Sequence, residues 1–216
     1  MSLDIGLDSV TFEFWIKRHN DLRGFVFSKS FSGMAWWRYY CDHSLDSSNI
    51  GKLRAILFVN GPGTGGDVLL TSNGTIPLNE WAHVALVINR AENMSWYING
   101  EFDSSTDFSS HSAKNITTSY PFRIGVYTAS DGSSVHTENP FNGVLSEFRY
   151  WREARTQEQI QACMNRRLTA EEIENGPLAG YWPLDDIVGG QALDHSDNEH
   201  HGNTEGNPQV VEINVE

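Results

Sequence analysis

The chain has 216 residues, 39% of them apolar, with seven Trp, seven Tyr and eleven Phe and a formal net charge of −13. This apolar content excludes a disordered chain, and a chain of this length can bury roughly 70% of its unfolded surface in one core. Nucleic acid and anionic membranes attract proteins with clustered basic side chains. The acidic balance of this chain therefore speaks against both as partners. The sequence also lacks an apolar run of about 18 residues, so we expect no membrane insertion.

Most of the acidic excess lies in the last third of the chain. Residues 153–216 hold 13 acidic and three basic side chains, whereas residues 1–152 hold 15 acidic and 12 basic ones. The polar C-terminal stretch is too poor in apolar residues to build a core of its own. We therefore predict one domain over residues 1–216, in which an acidic C-terminal segment, residues 178–216, packs on a core made earlier in the chain.

The first 150 residues mostly alternate between apolar and polar side chains with a period of two. This alternation, punctuated by Gly, Asn and Pro every 8 to 15 residues, is typical of half-buried strands in a two-sheet antiparallel sandwich. The predicted strands lie near residues 12–17, 24–28, 34–41, 53–59, 68–71, 82–89, 94–98, 122–126 and 143–151.

A helical pattern first appears at residue 156. Thr156 and Gln159 have the spacing of a capping box, and Ile160, Cys163 and Leu168 then fall on one helical face. The pattern predicts one short α-helix near residues 156–168 that packs on the sandwich.

The cysteines predict no disulfide framework. Cys41 and Cys163 are far apart in sequence and neither has a second cysteine at metal-binding spacing. We interpret both as free thiols.

Several segments together resemble one known family. They follow one another in the order seen in laminin-G-like, concanavalin-A-like jelly-roll domains, which are related to the pentraxins. The segments are residues 11–16 (TFEFWI), 80–87 (EWAHVALV), 96–101 (WYINGE), 141–151 (FNGVLSEFRYW) and 154–160 (ARTQEQI). The resemblance implies an all-β jelly roll and a binding module of an extracellular or cell-surface protein.

One departure from the family pattern concerns the edge of the sandwich. Members usually carry another strand before the first motif, and only about ten residues precede it here. The alternating run at residues 211–216 could supply the strand that covers this edge.

The sequence does not predict catalysis. Glycosidases need two carboxylates about 5 to 9 Å apart, and no predicted strand carries the Glu-x-Asp-x-x-Glu spacing that jelly-roll hydrolases use. His83 lies within an apolar strand, without a nucleophile elbow. We interpret His83 as a core histidine and the chain as a non-enzyme.

The loop over residues 127–140 is a candidate calcium site. It carries the oxygen-bearing side chains of Asp131, Glu138 and Asn139, which are hard-cation ligands, and the resemblance implies calcium at this position in pentraxins. A solvated loop without metal is the alternative.

A second oxygen-rich segment offers a rival metal site. An Asx-rich turn network is the alternative interpretation of these residues. The segment comprises Asp194, Ser196, Asp197 and Asn198.

An unusually aromatic strand is the candidate ligand site. Alternation places Trp36, Arg38 and Tyr40 on one face, where the rings can pack on sugar C–H groups and the guanidinium can bind hydroxyls. Tyr127 is a further candidate for this site. The alternative is that this row lies buried under a loop.

These observations favour a non-catalytic, lectin-like module that binds a glycan, with calcium as a candidate cofactor. The other hypothesis is a structural or adhesive module of a larger extracellular protein, with a protein as its ligand. The shape of the site separates the two hypotheses. A protein partner needs a flat patch of several hundred Å², whereas a glycan needs a small cleft with converging polar groups.

Overall fold

A computed structural model describes residues 3–29, 48–59, 67–129, 134–135 and 138–211, together with the backbone of residues 39–43. Within these ranges the chain is built mainly of strands. The strands are β1 (Val10–Arg18), β2 (Gly24–Lys29), β3 (Tyr39–His43), β4 (Leu53–Phe58), β5 (Asp67–Thr71), β6 (Ala82–Ile88), β7 (Asn93–Ile98), β8 (Glu101–Asp107), β9 (Arg123–Ile124), β10 (Gly143–Trp151), β11 (Leu178–Trp182), β12 (Ile187–Val188), β13 (Gln191–Ala192) and β14 (Gly202–Asn203). The helices are a 3₁₀ turn at Ser109–His111, α1 (Gln157–Cys163) and α2 (Ala170–Asn175).

The strands form two main antiparallel sheets and one small one. A six-stranded sheet has the order β11-β10-β1-β6-β7-β8, a five-stranded sheet has the order β5-β4-β3-β2-β9, and β12-β13-β14 form the third. Each named neighbour pair runs antiparallel. The predicted all-β, two-sheet antiparallel sandwich is confirmed.

The core lies between the two large sheets. Phe12 and Phe14 of β1 are fully buried, and their rings pack across to Phe27 of β2 at centroid distances of 4.7 and 6.0 Å. Phe14 also stacks on Phe148 of β10 at 5.4 Å. Burying each such side chain contributes roughly 1.5–3 kcal/mol, so the alternating aromatics of β1 and β10 hold the layers together.

Helix α1 covers part of the outer face of the six-stranded sheet. Ile160 packs on Ala85 and Val87 of β6, and Thr156 and Gln159 form the predicted capping box. The helix ends at Cys163, five residues before the predicted end at residue 168. The side chain of Arg149 donates to the backbone carbonyls of Cys163 and Arg166, so the chain after Cys163 turns down onto β10.

The sequence prediction missed strand β8. Asn99 and Gly100 both have positive φ angles, 52° and 77°, and form a two-residue turn that joins β7 to β8. The strand Glu101–Asp107 is an edge strand with mostly exposed polar side chains. Its sequence therefore lacks the apolar alternation on which the prediction depended.

The segment after α2 supplies an edge strand of the six-stranded sheet. Strand β11 pairs with β10, and Trp182 is 3% exposed within the main core. Residues 212–216, which include most of the strand predicted at 211–216, lie outside the described residues, so that strand and the extent of the single domain remain predictions. In the described part of the chain, no helix is long and apolar enough to cross a membrane.

Candidate functional site

The outer face of the five-stranded sheet carries a small aromatic cluster. On β4 the side chain of Leu57 is buried in the main core, whereas Ile56 and Phe58 belong to a separate cluster with Phe25 and Tyr127. Alternation along the strand explains this division. We call Phe25, Ile56, Phe58 and Tyr127 the five-strand face.

Phe25 is the centre of the five-strand face. The ring of Tyr127 stacks on it with centroids 4.6 Å apart and planes 12° apart, and the Arg23 guanidinium carbon lies 4.7 Å from the Phe25 centroid. The Phe25 backbone N–H donates to the carbonyl oxygen of Asn139 at 3.1 Å. One strand end thus brings together an aromatic stack, a cation and a turn of the 127–140 loop.

The 127–140 loop folds back towards β2. Thr128 and Val135 form an antiparallel bridge, and Asn139 has a positive φ of 57°, a conformation that asparagine tolerates better than most residues. Glu138 and Asn139 are both exposed. Asp131 lies outside the described residues, so the calcium site predicted from Asp131, Glu138 and Asn139 remains a prediction.

The other predicted ligand residues belong to the same sheet. Tyr40 pairs in register with Ile56 of β4 and with Ser28 of β2, which places its backbone beside the five-strand face. Its side chain is not described, and Trp36 and Arg38 lie outside the described residues. Of the four ligand residues predicted, the structure therefore locates Tyr127 at the face and Tyr40 by register.

The residues of the rival metal segment form a turn network. The Asp194 carboxylate accepts hydrogen bonds from the backbone N–H groups of Tyr181 (2.8 Å), Ser196 (2.9 Å) and His200 (2.8 Å) and from the Ser196 hydroxyl (2.9 Å). Asp194 is only 4% exposed. Its oxygens tie the segment after β13 to β11, as the Asx-turn alternative predicts. Among the described residues, no three His, Cys, Asp or Glu side chains are grouped as a metal site would need.

A buried charged cluster lies under α1. Glu13 and His83 are 0% and 1% exposed, and Glu13 Oε1 lies 2.9 Å from Nε of Arg155, at an angle that does not make a hydrogen bond. Glu13 Oε2 lies 3.8 Å from both Arg149 Nη1 and His83 Nε2. His83 is buried as predicted, but its Nδ1 has no hydrogen-bond partner in the described part of the chain.

The electrostatics of this cluster follow from its burial. Burial raises the pKa of Glu13 to about 7, and the charges of Arg155 and Arg149 only partly oppose this rise. Burial and then the positive charge of Arg149 lower the pKa of His83 to about 3. Cys163 completes the cluster and is 1% exposed, with its pKa also raised by burial. Because these groups are buried under α1, their titration makes the stability of the fold depend on pH.

Sequence reasoning missed Glu13 because period-two alternation treats it as an exposed strand residue. The pairing of the strands carries the signal that was missed. Glu13 lies opposite Arg149 and Ala85, on the sheet face that the predicted amphipathic helix has to cover.

The comparisons with known proteins agree with this fold. A family model described as the concanavalin A-like lectin/glucanases superfamily, of laminin G type, matches residues 2–161, so the chain belongs to that superfamily. No match was found among curated protein sequences.

Three solved structures illustrate the similarity. A candidate carbohydrate binding protein from Bacteroides ovatus is 22% identical over 91% of this chain, with a TM-score of 0.68, and this chain spans only 52% of its length. A heptameric SAP-like pentraxin from Limulus polyphemus is 22% identical over 71% of this chain and 68% of its own, with a TM-score of 0.54. The CBM40 domain of the Ruminococcus gnavus IT-sialidase, bound to α2,3-sialyllactose, is 14% identical over 73% of this chain and 83% of its own, with a TM-score of 0.53. At these identities the likeness defines the fold alone.

Proposed function

We propose that this chain is a non-catalytic carbohydrate-binding module that binds glycans at the five-strand face. The observation that carries the proposal is the half-buried ring of Tyr127, which is held by stacking on buried Phe25, with the Arg23 guanidinium also against Phe25. Sugars bind where aromatic rings meet their C–H groups and a few polar groups fix their hydroxyls. The α2,3-sialyllactose named for the CBM40 structure and the carbohydrate binding named for the Bacteroides ovatus protein support this choice.

The remaining predicted residues fit this face in the proposal. Trp36, Arg38 and Tyr40 stay in the proposal as the aromatic and hydroxyl-binding groups predicted from the sequence. Calcium held by Asp131, Glu138 and Asn139 would supply a hard cation for sugar hydroxyls. The same family resemblance favours a module of an extracellular or cell-surface protein.

The absence of catalysis is part of the proposal. The acid, imidazole and thiol brought together under α1 belong to Glu13, His83 and Cys163, each at most 1% exposed. Within the described part of the chain these three groups are buried, so they are not placed to meet a substrate.

A glycan array, run once with calcium and once with a chelator, tests the function. We expect selective binding, and we expect Tyr127→Ala to weaken it roughly tenfold, the effect of losing one aromatic contact. Tyr120→Ala is the matched control, since the Tyr120 carbonyl accepts a hydrogen bond from Lys29 at the opposite end of β2 from Phe25.

Two results would overturn the proposal. One is the absence of binding to every glycan in both conditions. The other is equal binding by the wild type and Tyr127→Ala. If the chain instead captures only proteins, the adhesive alternative replaces carbohydrate recognition. Loss of binding in the chelator alone would add calcium to the site.

A further inference from the structure

Helix α1 leaves part of the six-stranded sheet uncovered. Ile160 packs on Ala85 and Val87 of β6, and Gln157 and Gln161 donate to Glu101 and Gly100 at the β7–β8 turn. Further along the two strands, Asn93 and Ser105 are exposed and Ser95 is half-buried. Between these two strands and the residues leading into α1 lies a cavity of about 450 Å³. We call it the β7–β8 groove.

Two aromatic rings form one end of the β7–β8 groove. Tyr97 and Phe102 face each other across the strand pair in register, with centroids 5.9 Å apart and an edge-on angle of 78°. Phe102 is 55% exposed. A large aromatic ring held by a neighbour and open to solvent is a surface on which a sugar ring can pack.

Three polar side chains without a hydrogen-bond partner in the described part of the chain line the floor of the groove. Ser95 and Ser105 are directly opposite each other in register, and Asn93 lies two residues along β7 from Ser95. Within the described part of the chain, none of these three side chains makes a hydrogen bond or ion pair. Two hydroxyls and a carboxamide are therefore available to exchange water for the hydroxyl groups of a ligand.

The charges around the groove favour a neutral ligand. Its cation, Arg155, is held by Glu13, by the Gln159 carbonyl and by the face of Trp151. At the start of α1, the capping box of Thr156 and Gln159 already binds the backbone N–H groups of these two residues. Glu92 adds a negative charge to the lining of the groove. Burial, together with the negative charge of Glu158, raises the pKa of Tyr97, so its phenol remains an uncharged donor.

The length of the groove matches an extended ligand. Asn93 and Tyr97 are four residues apart on one strand, which spans about 13 Å at the usual rise. The aromatic end and the amide end are thus separated by more than one sugar ring.

We infer that the β7–β8 groove is a second carbohydrate site, which binds a neutral oligosaccharide of at least two rings. This site lies on the opposite sheet from the five-strand face, so the inference goes beyond the proposed function. It would make the module bivalent, able to bind two glycan chains or two points of one chain.

Amide chemical shifts locate binding directly and test the inference. The full chain, labelled with ¹⁵N, is titrated with neutral oligosaccharides (cellotetraose, xylotetraose, maltotetraose, mannotetraose and laminaritetraose) and with α2,3-sialyllactose as the anionic comparison. We expect at least one neutral probe to shift the Asn93, Ser95 and Ser105 signals in a saturable way, and sialyllactose to shift them less.

Substitutions then separate the two sites. Phe102→Ala should raise the Kd of the groove roughly tenfold, whereas Val188→Ala, which truncates another exposed strand residue, should leave it unchanged. Tyr127→Ala should leave the groove shifts intact. Saturable groove shifts that Phe102→Ala does not weaken would overturn the inference, as would no groove shifts with any probe.

Failure of one site is distinguishable from failure of the other. Shifts confined to Phe25 and Tyr127 would refute the groove and retain the proposed function. Shifts confined to Asn93 and Ser105 would refute binding at the five-strand face and retain the groove. A thermal melt of Phe102→Ala close to that of the wild type confirms that the variant is folded, as expected for a half-exposed edge residue.

Discussion

Replacing Glu13 by glutamine tests the electrostatics of the buried cluster. Glutamine has nearly the shape of a protonated glutamate but cannot ionise. Burial raises the pKa of Glu13 from 4.5 to about 7 against the opposing charges of Arg155 and Arg149. The folded chain therefore holds a proton between pH 4.5 and 7 that the unfolded chain has released. The stability contributed by this group is complete below pH 4.5 and is lost as the pH rises to 7.

The magnitude follows from the two pKa values. At 1.36 kcal/mol per pKa unit, ionising Glu13 in the folded chain costs about 3 kcal/mol by pH 7. His83 acts in the opposite direction, because its pKa falls from 6.5 to about 3 and its contribution is lost as the pH falls below 6.5. Between pH 4.5 and 6.5, Glu13 makes the unfolding free energy fall with rising pH, whereas His83 makes it rise. Comparing Glu13→Gln with the wild type cancels the His83 contribution.

Urea unfolding at pH 4.5, 6 and 7.5 measures the effect. We expect Glu13→Gln and the wild type to have similar unfolding free energies at pH 4.5, and the variant to gain about 3 kcal/mol over the wild type by pH 7.5. Exposed Glu80→Gln is the control and should change stability by less than about 0.5 kcal/mol at each pH. If Glu13→Gln instead loses stability relative to the wild type as the pH rises, ion pairing with Arg155 outweighs burial and the reasoning is wrong.

Three further substitutions test the packing and the caps. Phe148→Ala removes a fully buried ring that stacks on Phe14 and should cost about 3–5 kcal/mol in urea unfolding; a cost below about 1 kcal/mol would contradict the core assignment. Thr156→Ala removes the hydroxyl that caps α1 and should cost about 1 kcal/mol by the same measurement, whereas a Thr75→Ala control at an exposed position should change stability by less than about 0.5 kcal/mol. Asp194→Asn places an amide donor among backbone N–H donors and should lower the unfolding free energy by about 1–3 kcal/mol, whether or not calcium is present; a calcium-dependent loss would restore the metal interpretation.

Local sequence patterns predicted the elements that depend on near neighbours. The alternating aromatics of Phe12 and Phe14 indicated a strand with a buried face, and the Thr156 to Gln159 spacing indicated a helix start. Both signals act over a few residues, so they can be read without knowing what lies opposite. The order of the family motifs over residues 11–160 indicated the sandwich by resemblance.

Other features depended on contacts between distant residues. Where α1 ends, Arg149 of β10 donates to the carbonyls of Cys163 and Arg166, a contact between distant residues that the helical pattern does not contain. Strand β8 was missed because an edge strand needs little apolar alternation. Of the predicted ligand residues, the structure locates the side chain of Tyr127, stacked on Phe25, and the backbone of Tyr40 by register. The signal for it lay in neither segment alone, because the two rings are about one hundred residues apart in sequence.

By itself, the sequence determined the fold class, the start of the helix and an acidic C-terminal third, because each depends on composition or on spacing within a few residues. Only the tertiary structure decided which polar side chains are buried and which line a groove where they can bind a ligand. Glu13, on a strand that alternates, is buried under α1, while Asn93, Ser95 and Ser105 line an open groove beside it. The position of one short helix across the sheet makes that difference, and no local pattern encodes where the helix comes to lie.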